Sequence, residues 1–178
     1  LSQEYLKSTI RTIPDYPKKG IMFRDVTTLM QDAKALSIAV DMLAEQYQRH
    51  TFDKIAGAEA RGFIFGTALA LKLGVGFVPL RKPNKLPGKV IKETYQLEYG
   101  ESSLEAHIDA IQPGEKVLLV DDLLATGGTM LASASLIRRL KGVVEDACFI
   151  VSLTDLPGES RLQGEGINCF SLCQYEGE

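Results

Sequence analysis

The chain has 178 residues, 45% of them hydrophobic and 24% charged, with a formal net charge of −3 at pH 7. That is enough for one globular domain with a proper core, and it excludes a disordered chain. The slightly acidic balance offers no broad positive field to nucleic acid, so any anion site must be local, and no apolar run reaches membrane-spanning length.

Residues 3–10 read as a short amphipathic helix with Tyr5, Leu6 and Ile10 on one side, closed by Pro14 and Pro17. No signal-peptide pattern precedes it. Residues 18–29, KKGIMFRDVTTL, have no clear period and read as an irregular loop. Asp32 is placed to cap the next helix, whose apolar positions are Leu36, Ala39, Val40, Leu43 and Tyr47. Residues 54–58 form a short buried strand. Residues 61–73 form a helix with Ile64, Leu69 and Leu71 as apolar surface and Gly74 as its stop, and residues 76–80 form the next strand. This βαβ unit makes the sheet at least partly parallel.

Residues 81–92, RKPNKLPGKVIK, are too polar and too broken for a core element and read as a mobile loop. Residues 94–99 alternate like a strand, and residues 103–108 can pair with them. Pro113-Gly114 turns the chain into a strand at 117–120, and further strands follow at 144–153 and 167–172. The order gives an α/β fold: one twisted, largely parallel sheet flanked by helices on both faces. His50 and His107 read as a helix-end and a strand histidine. Cys148, Cys169 and Cys173 lie in apolar text and read as buried thiols in a reducing compartment, not as a disulfide or zinc framework.

Chemistry concentrates in residues 116–130, KVLLVDDLLATGGTM. The apolar run without alternation suits a strand covered on both faces. The acidic pair Asp121 and Asp122 follows it, then a glycine loop with Thr126 and Thr129, then a helical pattern. A helix N-terminus offers unpaired N–H groups and the positive end of the macrodipole. Side-chain-free Gly127 and Gly128 let a phosphate approach the backbone. The carboxylates repel phosphate and suit hydroxyl donors or a divalent cation. A phosphate at one end and vicinal hydroxyls at the other describe ribose 5-phosphate. No GxGxxG and no Gly-Lys-Ser/Thr ending are present, so neither a dinucleotide fold nor a P-loop is supported.

Two further stretches carry charge or amides suited to anions. Residues 57–66, GAEARGFIFG, join a strand to a helix and add Arg61, a planar fork for phosphate oxygens. Arg81, Lys82, Lys85 and Lys89 can neutralise a polyphosphate, although most charge runs are simply solvated.

VLLVDDLLATGGTM resembles the phosphoribosyl-diphosphate (PRPP) motif of the type I phosphoribosyltransferases. The GIMFRD, RKPNKLPG and LEYG text resembles the adenine-specific branch of that family, and the likeness runs over residues 14–175. The resemblance implies that family's fold, with a base-recognition hood at residues 1–32 and a mobile loop and strand at residues 82–98, all in one domain. It implies transfer of 5-phosphoribosyl from PRPP to adenine, giving AMP and pyrophosphate for purine salvage. It also implies Mg2+ held mainly through substrate, a homodimer and a cytoplasmic location.

Carried over by position, Ala125, Thr126, Gly127, Gly128 and Thr129 would hold the 5′-phosphate, and Asp121 and Asp122 the ribose hydroxyls. Glu59, Ala60 and Arg61 would receive pyrophosphate in a loop that carries a non-proline cis peptide in the family. Arg81, Lys82 and Lys85 would close over it. Phe23 and Leu123 would sandwich adenine, the main chain of Ile21 and Met22 would read its amino edge, and Arg24 would face a ring nitrogen. Glu98 would handle the proton of the attacking base, with Tyr99 beside it. Glu59-Ala60 departs from the Asp-Ser of some members, and Pro83-Asn84 varies the loop. Two other readings stand beside this one: a phosphoribosyltransferase for a 6-oxopurine, and a non-catalytic PRPP-binding regulator.

Overall fold

The apolar run ending at Val120 becomes the middle strand of a five-stranded sheet in the computed structural model, which describes residues 1–97 and 99–177. That strand, β7 (Lys116–Leu124), lies between β3 (Lys54–Ala58) and β8 (Val143–Leu153). The edges are β4 (Gly76–Leu80) and β9 (Asn168–Tyr175), and every pairing is parallel. Leu118 and Val120 enter one core while Val117 and Leu119 enter another, so both faces are dry. Two dry faces are why the run does not alternate.

One face is covered by α1 (Ser2–Thr9), α2 (Thr27–Gln31), α3 (Ala33–Gln46) and α4 (Arg61–Leu73), which supply Leu6, Leu29, Leu43 and Phe65. The other is covered by α5 (Gly128–Arg139), α6 (Gly158–Gly164) and the hairpin β5 (Val90–Gln96)–β6 (Glu101–His107), which supply Met130, Leu136, Leu162 and Leu104. Asp32 caps α3 by accepting the Ala35 amide, and the Tyr5 hydroxyl donates to the same carboxylate, tying α1 to α3. Gly74 ends α4 at φ 73°.

Several expectations change. Residues 18–29 are not an irregular loop. β2 (Met22–Asp25) pairs antiparallel with β1 (Arg11–Pro14), and α2 follows. Alternation cannot reveal so short a hairpin, whose order comes from cross-strand pairing and from Asp25, which accepts from Arg11, Thr27 N and Thr27 Oγ1. On α4 the buried positions are Phe65, Leu69 and Ala70, whereas Ile64 and Leu71 are exposed. β7 continues through both aspartates instead of stopping before them, and α6 was not expected.

The basic loop is strapped to β6 along its length. Arg81 and Glu105 exchange backbone hydrogen bonds, the Asn84 amide donates to the Glu105 carboxylate, and the Ile108 amide donates to Lys89 O. The His107 ring nitrogen lies 2.9 Å from Pro87 O. β5 then begins at Val90, earlier than its alternation suggested.

Candidate active site

The carboxyl ends of β3 and β7 open into one cavity of about 790 Å³. Parallel sheets bind ligands along this edge because strand ends and helix N-termini converge there. Its walls include Glu59, Ala60 and Arg61 from the β3–α4 turn, Lys82, Tyr95, Gln96 and Leu97 from the basic loop and hairpin, Asp121 to Thr129 from β7 and its loop, and Arg161 from α6.

Three of the sequence-derived groups therefore share one space: the acidic pair, the glycine loop and the Arg61 turn. Gly127 adopts φ 88° and accepts the Leu131 amide as α5 begins, so the loop runs straight into a helix N-terminus. Tyr95 packs against Gly128, and Thr129 Oγ1 lies 3.4 Å from its hydroxyl.

The two aspartates differ. Asp122 is buried and accepts Arg61 Nε at 2.5 Å, a charge-assisted bond across the β7–α4 junction. That bond also raises the Arg61 pKa further, so the guanidinium stays charged. Asp121 accepts the amide of Asp122 at 2.8 Å. Burial pushes its carboxyl well above the ordinary carboxylate range, and the neighbouring Asp122 charge adds to the push. An arginine paired to one carboxylate, beside a second that resists ionisation, marks this strand end as a candidate functional site.

The peptide bond between Glu59 and Ala60 is cis. Glu59 accepts Arg81 Nε at 3.1 Å and the Lys82 amide at 2.9 Å, so the turn is stitched to the basic loop. Burial raises the Glu59 carboxyl, but these bonds outweigh it and leave it lowered. Arg81 is turned toward Glu59 and the Phe63 ring and does not line the cavity, and neither does Lys85; Lys82 does.

The hood residues stand apart. Ile21, Met22, Phe23 and Arg24 are not among the cavity walls, while Leu123 is. Phe23 meets Tyr16 edge-on at 5.2 Å. Arg24 donates to Thr12 Oγ1 and lies over the Tyr175 ring, with its buried Nε unpartnered among the described residues. The hood does reach the hairpin tip, where Lys18 Nζ sits 4.6 Å above the Tyr99 ring. Glu98 lies outside the described residues. Sequence reasoning missed Tyr95 and Arg161. An alternating strand could have flagged Tyr95, but no local signal marks Arg161, which comes from far along the chain.

The sequence pattern of the phosphoribosyl transferase domain matches residues 27–162. Adenine phosphoribosyltransferase of Pseudoalteromonas atlantica is 59% identical over 174 residues, covering 98% of each chain. The chain belongs to the adenine phosphoribosyltransferase family. The crystal structure of the Thermoanaerobacter pseudethanolicus adenine phosphoribosyltransferase superposes with a TM-score of 0.92 at 50% identity, covering 97% of this chain and 99% of that one. The Saccharomyces cerevisiae enzyme, solved with an imino-altritol bisphosphate and adenine, gives 0.89 at 37% identity, covering 96% and 98%. Within the adenine phosphoribosyltransferase family the parallel sheet and its flanking helices thus have counterparts.

Proposed function

We infer that this chain transfers the 5-phosphoribosyl group of PRPP to adenine, forming AMP and pyrophosphate in purine salvage. The observation that carries the reading is the meeting of Asp121, Asp122 and the glycine loop in a single cavity. The loop at residues 125–129 takes the 5′-phosphate on main-chain N–H groups at the α5 N-terminus. That grip is remote from the bond being broken, so its binding energy serves positioning. Asp121 and Asp122 accept the ribose hydroxyls and sit near the positive charge that develops on the ring. The oxygens of the leaving pyrophosphate face the β3–α4 turn, Arg61 and Lys82. Adenine enters from the hood side against Leu123, with Phe23 and Arg24 brought in from the hood, and Glu98 takes the proton.

Magnesium fits as an ion carried mainly by substrate oxygens. Asp121 and Asp122 are two ligands at most, Asp122 is engaged by Arg61, and no group of three potential ligands exists among the described residues. When bound, the ion neutralises charge on the leaving group. A homodimer is what the resemblance to the family implies, and the exposed Ile64 and Leu71 on α4 are apolar side chains available to such an interface. A cytoplasmic location is supported by three free thiols.

The decisive assay follows AMP formation from adenine, PRPP and magnesium, with hypoxanthine, guanine and xanthine as competitors. Adenine as the preferred base is the expected result. Preference for a 6-oxopurine would transfer the reading to that class, and PRPP binding without turnover would leave a regulator.

A further inference from the structure

One wall of the cavity has no role in the scheme above. Arg161, on α6, lines it and donates from Nη1 to the carbonyl oxygen of Thr126 at 2.5 Å. Just before it, the Gly158 amide donates to the carbonyl oxygen of Ala125 at 3.0 Å. Helix and loop touch backbone to backbone. A Cβ on Gly158 would lie 2.4 Å from Ala125 O, and one on Gly127 would lie 3.1 Å from Gly158 Cα. Two successive loop carbonyls are thus held from the same short helix. A trans peptide is planar, with its C=O and N–H opposed. Pinning the carbonyls of Ala125 and Thr126 therefore sets the directions of the amides of Thr126 and Gly127. Among the described residues Arg161 pairs with no carboxylate, so its charge is not spent elsewhere. A guanidinium carries five N–H donors, and one of them is used on Thr126.

We propose that Arg161 is a positioning residue for the phosphate loop, holding the Thr126 carbonyl from α6 so that the loop amides stay set for a phosphate monoester, and placing a positive charge at the same wall. The proposal rests on the ribose-phosphate reading of the cavity. It also explains why α6 comes so close, with glycine at both points of contact.

The test compares the wild-type chain with Arg161→Gln and Arg161→Lys, using calorimetric titration with ribose 5-phosphate, steady-state kinetics and thermal melting. Arg161→Gln is expected to weaken ribose 5-phosphate binding and raise the KM for PRPP about tenfold, as loss of a charge-assisted bond does. The adenine KM and kcat should stay within about twofold of wild type on the same reasoning. Arg161→Lys, which keeps the charge and a single donor, should recover part of the loss. Unchanged ribose 5-phosphate affinity in Arg161→Gln overturns the proposal. So does an equal decline of every parameter with a lower melting temperature, which would make Arg161 a general structural residue. If the wild-type chain itself binds no ribose 5-phosphate, the reading of the cavity fails and the proposal fails with it.

Discussion

The loop cradle at the end of β7 and the hood hairpin hold their carboxylates in opposite ways. The cradle is one continuous run, residues 121–129, carried on the central strand of a sheet dry on both faces. The hood's hairpin is a pair of four-residue strands outside that sheet, joined by antiparallel backbone pairing and tied through the Asp25 carboxylate to Arg11 and Thr27. Their carboxylates show the difference. Asp121 is pushed upward by burial and by Asp122, so its charge costs the fold something. Burial also raises Asp25, but the bonds from Thr27 and Arg11 win and hold its carboxyl at about 2. The cradle can tolerate an unfavourable group because its stability comes from the sheet beneath it. The hood hairpin lies outside that sheet and is tied at Asp25, while α1 and α2 beside it rest on the core through Leu6 and Leu29.

The largest effect should come from the acid of the cradle that Arg61 engages. Asp122→Asn is expected to lower kcat by about a hundredfold or more, the scale of removing a preorganised electrostatic contact, while circular dichroism shows the native fold. Near wild-type turnover would remove this carboxylate from the chemistry.

Gly127→Ala tests whether the cradle works through its backbone. At φ 88° and with Gly158 Cα close by, an added methyl group must shift the loop. A cost of about 1–2 kcal/mol translates to roughly a tenfold rise in the PRPP KM. The adenine KM should hardly move; an equal rise in both would dissolve the distinction between the two regions.

Asp25→Asn addresses the hood. Loss of the charge-assisted bonds should cost about 1–3 kcal/mol, or several degrees of melting temperature at about 2–4 °C per kcal/mol. The folded pKa is depressed, so this stability is present above the ordinary carboxylate value and is lost as pH falls through about 4 toward 2. Melting curves of variant and wild type should therefore converge on acidification.

Asp121→Asn should act with the opposite sign, raising the melting temperature at neutral pH, because the substitution removes a charge that burial and Asp122 disfavour. A raised folded pKa means that ionisation destabilises the fold as pH climbs above the unfolded value. The gain should accordingly shrink as the pH falls toward the ordinary carboxylate value, and a gain independent of pH would show that the carboxyl is not strained by its charge.

Local patterns made much of this readable in advance. β3, α4 and β4 fall where their periods and the Gly74 stop place them, because each is bounded by neighbours in sequence. The apolar stripe on α4 was misjudged because the helix carries two, Phe65 with Leu69 and Ile64 with Leu71. Only the neighbours packed against it decide which one is buried. The β1–β2 hairpin was missed for a related reason: four-residue strands gain their order from a partner across the turn, not from their own pattern. α6 is too short to show a period, so Arg161 could not be connected to Thr126, 35 positions away.

The sequence by itself determined the central strand, the acid pair and the glycine loop, since a dry strand, two carboxylates and a helix N-terminus are properties of adjacent residues. Tertiary structure alone decided which distant groups pair around them: Arg61 with Asp122, Arg81 with Glu59, and Arg161 with the Thr126 carbonyl. The reason is that electrostatic and hydrogen-bond partners are set by distance in space, and a parallel sheet brings its strand ends together from segments the chain keeps far apart.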